Sequence, residues 1–334
     1  MGREREAPGV SGNPPWRGFN ILTFFQRRDA YKTDEREFEW IAAWGFSFVR
    51  FPLSYRTWTK PEDPLAVDES VLDAVRSAVD TARKYRLHVC LNFHRAPGYC
   101  INRDEKEPFD LWKDEKALDA FLFHWRLFAR MCADIPGNEL SFNPVNEPNH
   151  AVDQASHEKV IRAFAAEVRQ HDPDRLIVVD GRDVGTVPCE ELSDLTVVHS
   201  TRFYKPACIT HYKASWIPGG GNFPAPLWPG CVEDGVSYDR DALRRWYQPW
   251  AEMVRKGVPV HAGEGGVHNT VPHTIACAWL TDALDVLSEM GVGWALWNLC
   301  GSFGILDSGR SDVRYEDWHG RKLDRRMLEI LRAH

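Results

Sequence analysis

The chain has 334 residues, of which 43% are hydrophobic and 27% charged, with a formal net charge of -7 at pH 7. This is the composition of an ordinary soluble globular protein with material for a real core, and its acidic balance argues against a nucleic-acid or anionic-membrane partner. No apolar run reaches the roughly 18 residues a membrane-spanning helix needs, and the opening MGREREAPGVSGNPPW lacks the apolar centre of a secretory signal. The expected location is therefore cytoplasmic, or secreted or periplasmic with a leader already trimmed.

In chain order, an irregular extension over 1–15 leads into the first strand candidate, RGFNIL (17–22). The helical segment EREFEWIAAW follows, then a second strand, FSFVRF (46–51). VLDAVRSAVDTARKYR (71–86) places Val71, Leu72, Val75, Val79 and Ala82 on one face at helical spacing, and HVCLNF (88–93) is the third strand. ALDAFLFHWRLFARMC precedes LSFNPV (140–145), and EKVIRAFAAEVRQ precedes LIVVDG (176–181). Only CEELSD hints at a helical turn before TVVHST (196–201). DALRRWYQPWAEMVRKG then leads to PVHAGE (259–264), TIACAWLTDALDVLSEM to VGWALW (292–297), and DRRMLEILRA closes the chain.

Eight strand candidates in alternation with helices imply a parallel sheet with right-handed crossovers, and eight such repeats close into a (β/α)8 TIM barrel. An open doubly wound sheet is the rival. Against it, no Gly-x-Gly-x-x-Gly follows the first strand, and polar strand-end residues are spread over many strands rather than gathered at one switch point. No repeat or linker divides the sequence, so 1–334 reads as a single catalytic domain. The longest irregular stretch, 205–236, is rich in Gly, Pro and Trp and reads as a substrate-facing loop or lid.

The eight cysteines form no Cys-x-x-Cys pair, so neither a zinc ribbon nor a thioredoxin-like site is indicated; most read as small apolar core or loop residues, with one bridge in the 189–231 region left open. The 14 tryptophans are the composition's other unusual feature. Either they fill the core, or some line a groove where flat rings stack on sugars.

In a barrel, the C-terminal strand ends converge on one site. Here they carry Arg50, His94, Asn146 with Glu147, Tyr204, Glu264 and Trp297. Two carboxylates can hydrolyse a glycosidic bond when one attacks the anomeric carbon and the other protonates the leaving oxygen, then activates water. Their protonation states must differ, and Arg50 beside Glu264 is expected to keep that carboxylate charged while Glu147 keeps its proton.

NPVNEPN resembles the Asn-Glu-Pro signature of glycoside hydrolase family 5, the cellulase and mannanase family, and VHAGEGG resembles its nucleophile strand. FVRFPLSY, LNFHRAPG and GWALWNLCGSFGILDS extend the likeness over all eight strands in order. The resemblance implies a barrel without metal or organic cofactor, acting on a β-linked carbohydrate such as a glucan or mannan. It makes Glu147 the acid/base and Glu264 the nucleophile. Asn146 would bond the sugar 2-hydroxyl, Arg50 and Tyr204 would position Glu264, His94 would contact the glycone, and Trp297 would form the sugar-stacking floor.

One position departs from the family. Where a His-x-Tyr is common on the sixth strand, VHSTRFYKP places Arg202 two residues before Tyr204, and His199 lies at the opposite strand phase. Arg202 is expected to contact substrate hydroxyls or a carboxylate near the acid/base. Three rivals stand beside this reading: an exo-acting enzyme of unusual specificity, for a β-galactoside or furanoside; a non-catalytic carbohydrate-binding barrel; and a metal-dependent hydrolase. The last would need aligned strand-end histidines, which the first strand lacks. HAGEGGVH offers His261, Glu264 and His268, but strand alternation is expected to face His261 away from Glu264.

Overall fold

A computed structural model of the chain describes residues 14–26, 30–60, 63–102, 106–217 and 219–334. The expected extension over 1–15 lies outside the described residues except for Pro14 and Pro15, which are in no helix or strand.

Eight parallel strands form a closed barrel: β1 (Arg17–Asn20), β2 (Phe48–Ser54), β3 (His88–Ala96), β4 (Leu140–Asn143), β5 (Leu176–Asp180), β6 (Val198–Phe203), β7 (Val260–Gly265) and β8 (Gly293–Leu296). Each pairs with its neighbours in sequence, and β8 returns to β1 to close the ring. These strands are buried on both faces, which is why they read as near-continuous apolar runs. Gly18 is required where β1 meets β2, since a Cβ there would lie 1.7 Å from the Phe48 carbonyl oxygen.

Eight longer helices pack outside: α1 (Glu35–Ala43), α2 (Glu69–Lys84), α3 (Glu115–Met131), α4 (Gln154–His171), α5 (Arg240–Trp246), α6 (Gln248–Arg255), α7 (His273–Glu289) and α8 (Arg325–Ala333). An aspartate caps five of them. Asp34, Asp68, Asp153, Asp239 and Asp324 each accept a backbone N–H from the first turn, satisfying a donor the helix itself cannot. The single helix expected over 241–257 is two, because Pro249 has no N–H for a continuous ladder and fits only a first turn. The weak CEELSD signal corresponds to a 3-10 turn, Glu190–Leu195, in place of a full helix.

The tryptophans divide. Eight, namely Trp40, Trp44, Trp58, Trp125, Trp228, Trp250, Trp279 and Trp294, are buried, so the core-filler reading holds for most of them. At the barrel floor Trp16 stacks on His88 at 3.9 Å and meets Phe48 and His261, closing the end away from the strand C-termini. Cys208 and Cys231, within the region left open for a bridge, are both thiols and are in side-chain contact. Among the described residues no helix is long and apolar enough to cross a membrane.

Candidate active site

The strand ends bring all eight expected residues to one mouth. Arg50 is 1% exposed, and its guanidinium is fully engaged. Nη1 donates to Glu264 Oε1 at 2.6 Å and to Asn20 Oδ1 at 2.9 Å; Nη2 donates to Asn146 Oδ1 at 2.8 Å and Asn143 Oδ1 at 2.9 Å. Such a fork fixes four side chains at once, which a point-charge lysine could not do. Tyr204 reaches Glu264 Oε2 from the other side, at 3.5 Å. Burial, and then the charge of Glu264, raises the Tyr204 phenol well above its ordinary value, so it stays a neutral donor.

Arg202 touches both carboxylates. Nε donates to Glu147 Oε1 at 2.9 Å, and Nη2 to Glu264 Oε1 at 3.3 Å and Asn146 Oδ1 at 3.0 Å. Both its Nη atoms also donate to Asp180. Burial, followed by the charge of Glu264, pushes the Glu147 carboxyl up to about 7. The two carboxylates thus differ in setting: Glu264 is held by the Arg50 ion pair, while Glu147 is pushed toward its neutral form.

His94 lies 4.0 Å from Glu264 Oε1 and stacks on Trp297 at 5.2 Å. Burial, then Arg50, holds it well below the usual histidine value, so it is a neutral imidazole. Its Nδ1 and the Asn146 Nδ2 are buried without a partner among the described residues, leaving both free for a ligand. Trp297 is half-buried. His199, at the opposite phase of β6, faces the outer layer toward Glu190.

Simple strand alternation does not hold between His261 and Glu264. The register of β7 shifts between Ala262 and Glu264, so a bulge turns both His261 and Glu264 into the barrel. They are separated by depth: His261 is at the floor, 3.3 Å from the Trp16 carbonyl, while Glu264 is at the mouth. His268 lies elsewhere, bonded to Thr270. Away from the mouth, His157, Cys189 and Glu191 hold ligand-type atoms within 4.8 Å of one another, but Arg182 already stands 3.5 Å from Glu191 as its cation.

Sequence reasoning missed Asn20, Asn143, Asp180 and Tyr99. The Tyr99 hydroxyl donates to the Glu147 carbonyl at 2.6 Å and accepts the Asn149 N–H at 2.9 Å. Asp180 ends the fifth strand candidate, so the strand-end rule applied to LIVVDG points to it. In the 205–236 loop, Trp216 is 54% exposed and joins His211, His268 and Phe303 in a ring cluster continuous with Tyr204. Trp228 is instead buried, its Nε1 donating to Asp282 at 2.9 Å.

A sequence model of the cellulase family, glycosyl hydrolase family 5, matches residues 8–302. The chain belongs to glycoside hydrolase family 5. It is 24% identical over 308 residues to endoglucanase C of Acetivibrio thermocellus, covering 84% of this chain and 88% of the relative. It also superposes on a solved structure described as a glycoside hydrolase, with a TM-score of 0.92 and 37% identity over 96% of this chain and 99% of the other. Endoglucanase Cel5A of Thermotoga maritima shares the fold at a TM-score of 0.75 and 21% identity, over 95% of this chain and 96% of that one. This family 5 chain is accordingly a β-glycoside hydrolase built on the (β/α)8 barrel.

Proposed function

We propose that this family 5 enzyme cleaves β-linked glucans internally and retains anomeric configuration. The observation that carries the reading is the single Arg202 guanidinium in contact with both carboxylates. That arrangement favours the roughly 5 to 5.5 Å spacing of retaining pairs over the roughly 6.5 to 9.5 Å of inverting ones.

In the first step Glu264 attacks the anomeric carbon and the glycosidic C–O bond breaks. Glu147 gives its proton to the departing oxygen, and a glycosyl ester forms on Glu264. In the second step Glu147 takes a proton from water, the water oxygen bonds to the anomeric carbon, and Glu264 leaves as a carboxylate. Asn146, whose Oδ1 is held by Arg50 and Arg202 and whose Nδ2 has no partner among the described residues, suits the sugar 2-hydroxyl. His94 Nδ1 suits a second hydroxyl of the same ring, with Trp297 as its stacking floor. Arg50 and Tyr204 orient Glu264, and Arg202 orients Glu147. Trp216 extends the aromatic surface beyond Tyr204 for further sugar units.

Internal cleavage follows the endoglucanases among the relatives, and an aromatic surface reaching out along the long loop suits a polymer better than a closed pocket. The test is proton NMR of the first product formed from cello-oligosaccharides, with viscometry on soluble β-glucan. An initial β-anomer and a viscosity drop that outpaces the release of reducing ends support the reading. An initial α-anomer removes the retaining mechanism, and single-sugar release without viscosity loss returns the exo alternative.

A further inference from the structure

The reaction scheme leaves one buried carboxylate at the mouth without a role. Asp180 closes β5 and is 1% exposed. Its Oδ1 accepts from Arg202 Nη1 at 3.3 Å and from Asn143 Nδ2 at 3.2 Å. Its Oδ2 accepts from Arg202 Nη2 and from the backbone N–H of Glu147 at 2.9 Å.

We propose that Asp180 is a positioning residue for Glu147: it offsets the Arg202 charge, so that a guanidinium can hold the general acid without taking its proton. The inference rests on the two-carboxylate reading above. A guanidinium hydrogen-bonded to a carboxyl favours the ionised form. Arg202 alone would therefore work against an acid that must be protonated at the start of each turnover.

The charged groups around Glu147 can be followed through the cycle. Arg202 faces it from β6, Asp180 from β5, and Glu264 from β7 with Arg50 of β2 behind it. Tyr99, Tyr204 and His94 add no charge there, because burial raises both phenols and lowers the imidazole. With Glu147 protonated, two guanidiniums balance two carboxylates. When the sugar ester forms, Glu264 loses its charge, and the cluster is neutral again once Glu147 has given up its proton. That is the state in which Glu147 must act as a base. Without the Asp180 charge, the free enzyme balances only with Glu147 already ionised, and an unbalanced charge this deep is costly.

Two further observations agree. The influences that raise the Glu147 carboxyl, after burial and Glu264, include Asp180, whereas Arg202 lowers it. Glu147 also has a left-handed backbone, with φ at +47°, a conformation that a non-glycine residue keeps only where its surroundings hold it. Asp180 on its N–H and Tyr99 on its carbonyl pin that residue from both sides.

The experiment is kcat/KM against pH for Asp180→Asn, Asp180→Glu and the double variant Asp180→Asn with Arg202→Met. Each is measured on a cello-oligosaccharide and on 2,4-dinitrophenyl β-cellobioside, whose leaving group needs no proton. Asp180→Asn is expected to move the basic limb down by about 1–3 pH units and to lose more activity at pH 7 on the oligosaccharide than on the dinitrophenyl substrate. Asp180→Glu keeps the wild-type limb, and the double variant returns the limb toward it because both charges are gone. An unchanged limb in Asp180→Asn, with equal loss on both substrates, overturns the proposal. If Asp180→Asn does not fold, the other two variants decide: a displaced limb in either one overturns it. Glu147→Gln tests the underlying reading separately, since it must abolish the basic limb whatever Asp180 does.

Discussion

Replacing Glu147 with Gln removes the proton while keeping the side chain's size and the Oε1 that accepts from Arg202 Nε at 2.9 Å. With the carboxyl pushed up to about 7 by burial and by Glu264, about half the enzyme holds the reactive proton at pH 7, and about nine-tenths at pH 6. Wild-type kcat/KM on glucan oligosaccharides is therefore predicted to fall about tenfold per unit above pH 7, as the acid ionises. In Glu147→Gln that limb disappears and the rate drops by about 10²–10⁴, equivalent to roughly 3–5.5 kcal/mol of barrier. On 2,4-dinitrophenyl β-cellobioside the first step survives, because that leaving group departs unaided. The second step then lacks its base, and dinitrophenolate is released in a burst followed by a slow steady state. Stopped-flow absorbance reads both phases. Equal loss on both substrates, or a basic limb that persists in the variant, would refute the assignment of Glu147.

Arg50→Lys should lower kcat/KM by at least about 10²-fold, since one ammonium cannot replace the fork that joins Asn20, Asn143, Asn146 and Glu264; steady-state kinetics beside a melting curve separate this from unfolding. Trp125 is fully buried against Phe93 at 3.9 Å, so Trp125→Ala should cost about 3–5 kcal/mol in urea unfolding with little effect on KM in the folded fraction. His273 is 2.8 Å from Asp324, and that hydrogen bond, together with Cys277, raises the imidazole to about 9. Because the folded value is raised, its contribution is complete below the ordinary value near 6.5 and is lost as pH rises through about 9. His273→Asn should therefore melt lower than wild type at pH 6, with the gap closing by pH 10.

The barrel was legible because strands buried on both faces and helices buried on one leave different periodicities, and both recur along the chain, the short turn Glu190–Leu195 being the one weak link. The carboxylate pair was legible for a related reason: Glu147 and Glu264 are acids ending apolar runs. What stayed hidden depends on three-dimensional detail. The bulge in β7 shifts the strand by one position, so simple alternation misplaced His261. Pro249 splits a pattern whose helical period continues across it. Asn143 belongs to no motif in LSFNPV, and the partner that takes up its oxygen, Arg50, stands 93 positions earlier. Asp180 had the right strand-end position, but its partner is Arg202, the residue at which the family pattern departs. A sequence motif marks one residue, whereas this ion pair makes sense only as two.

The most direct test of the account is covalent trapping with a 2-deoxy-2-fluoro β-cellobioside bearing a dinitrophenyl leaving group. The fluorine slows both steps, while the activated leaving group lets the first one proceed, so the glycosyl ester accumulates. Peptide mass mapping of the inactivated enzyme is predicted to place one fluorocellobiosyl group on Glu264 and none on Glu147, and Glu264→Ala is predicted to take up no label. A label on another residue, or turnover by Glu264→Ala at the wild-type rate, would contradict the central claim.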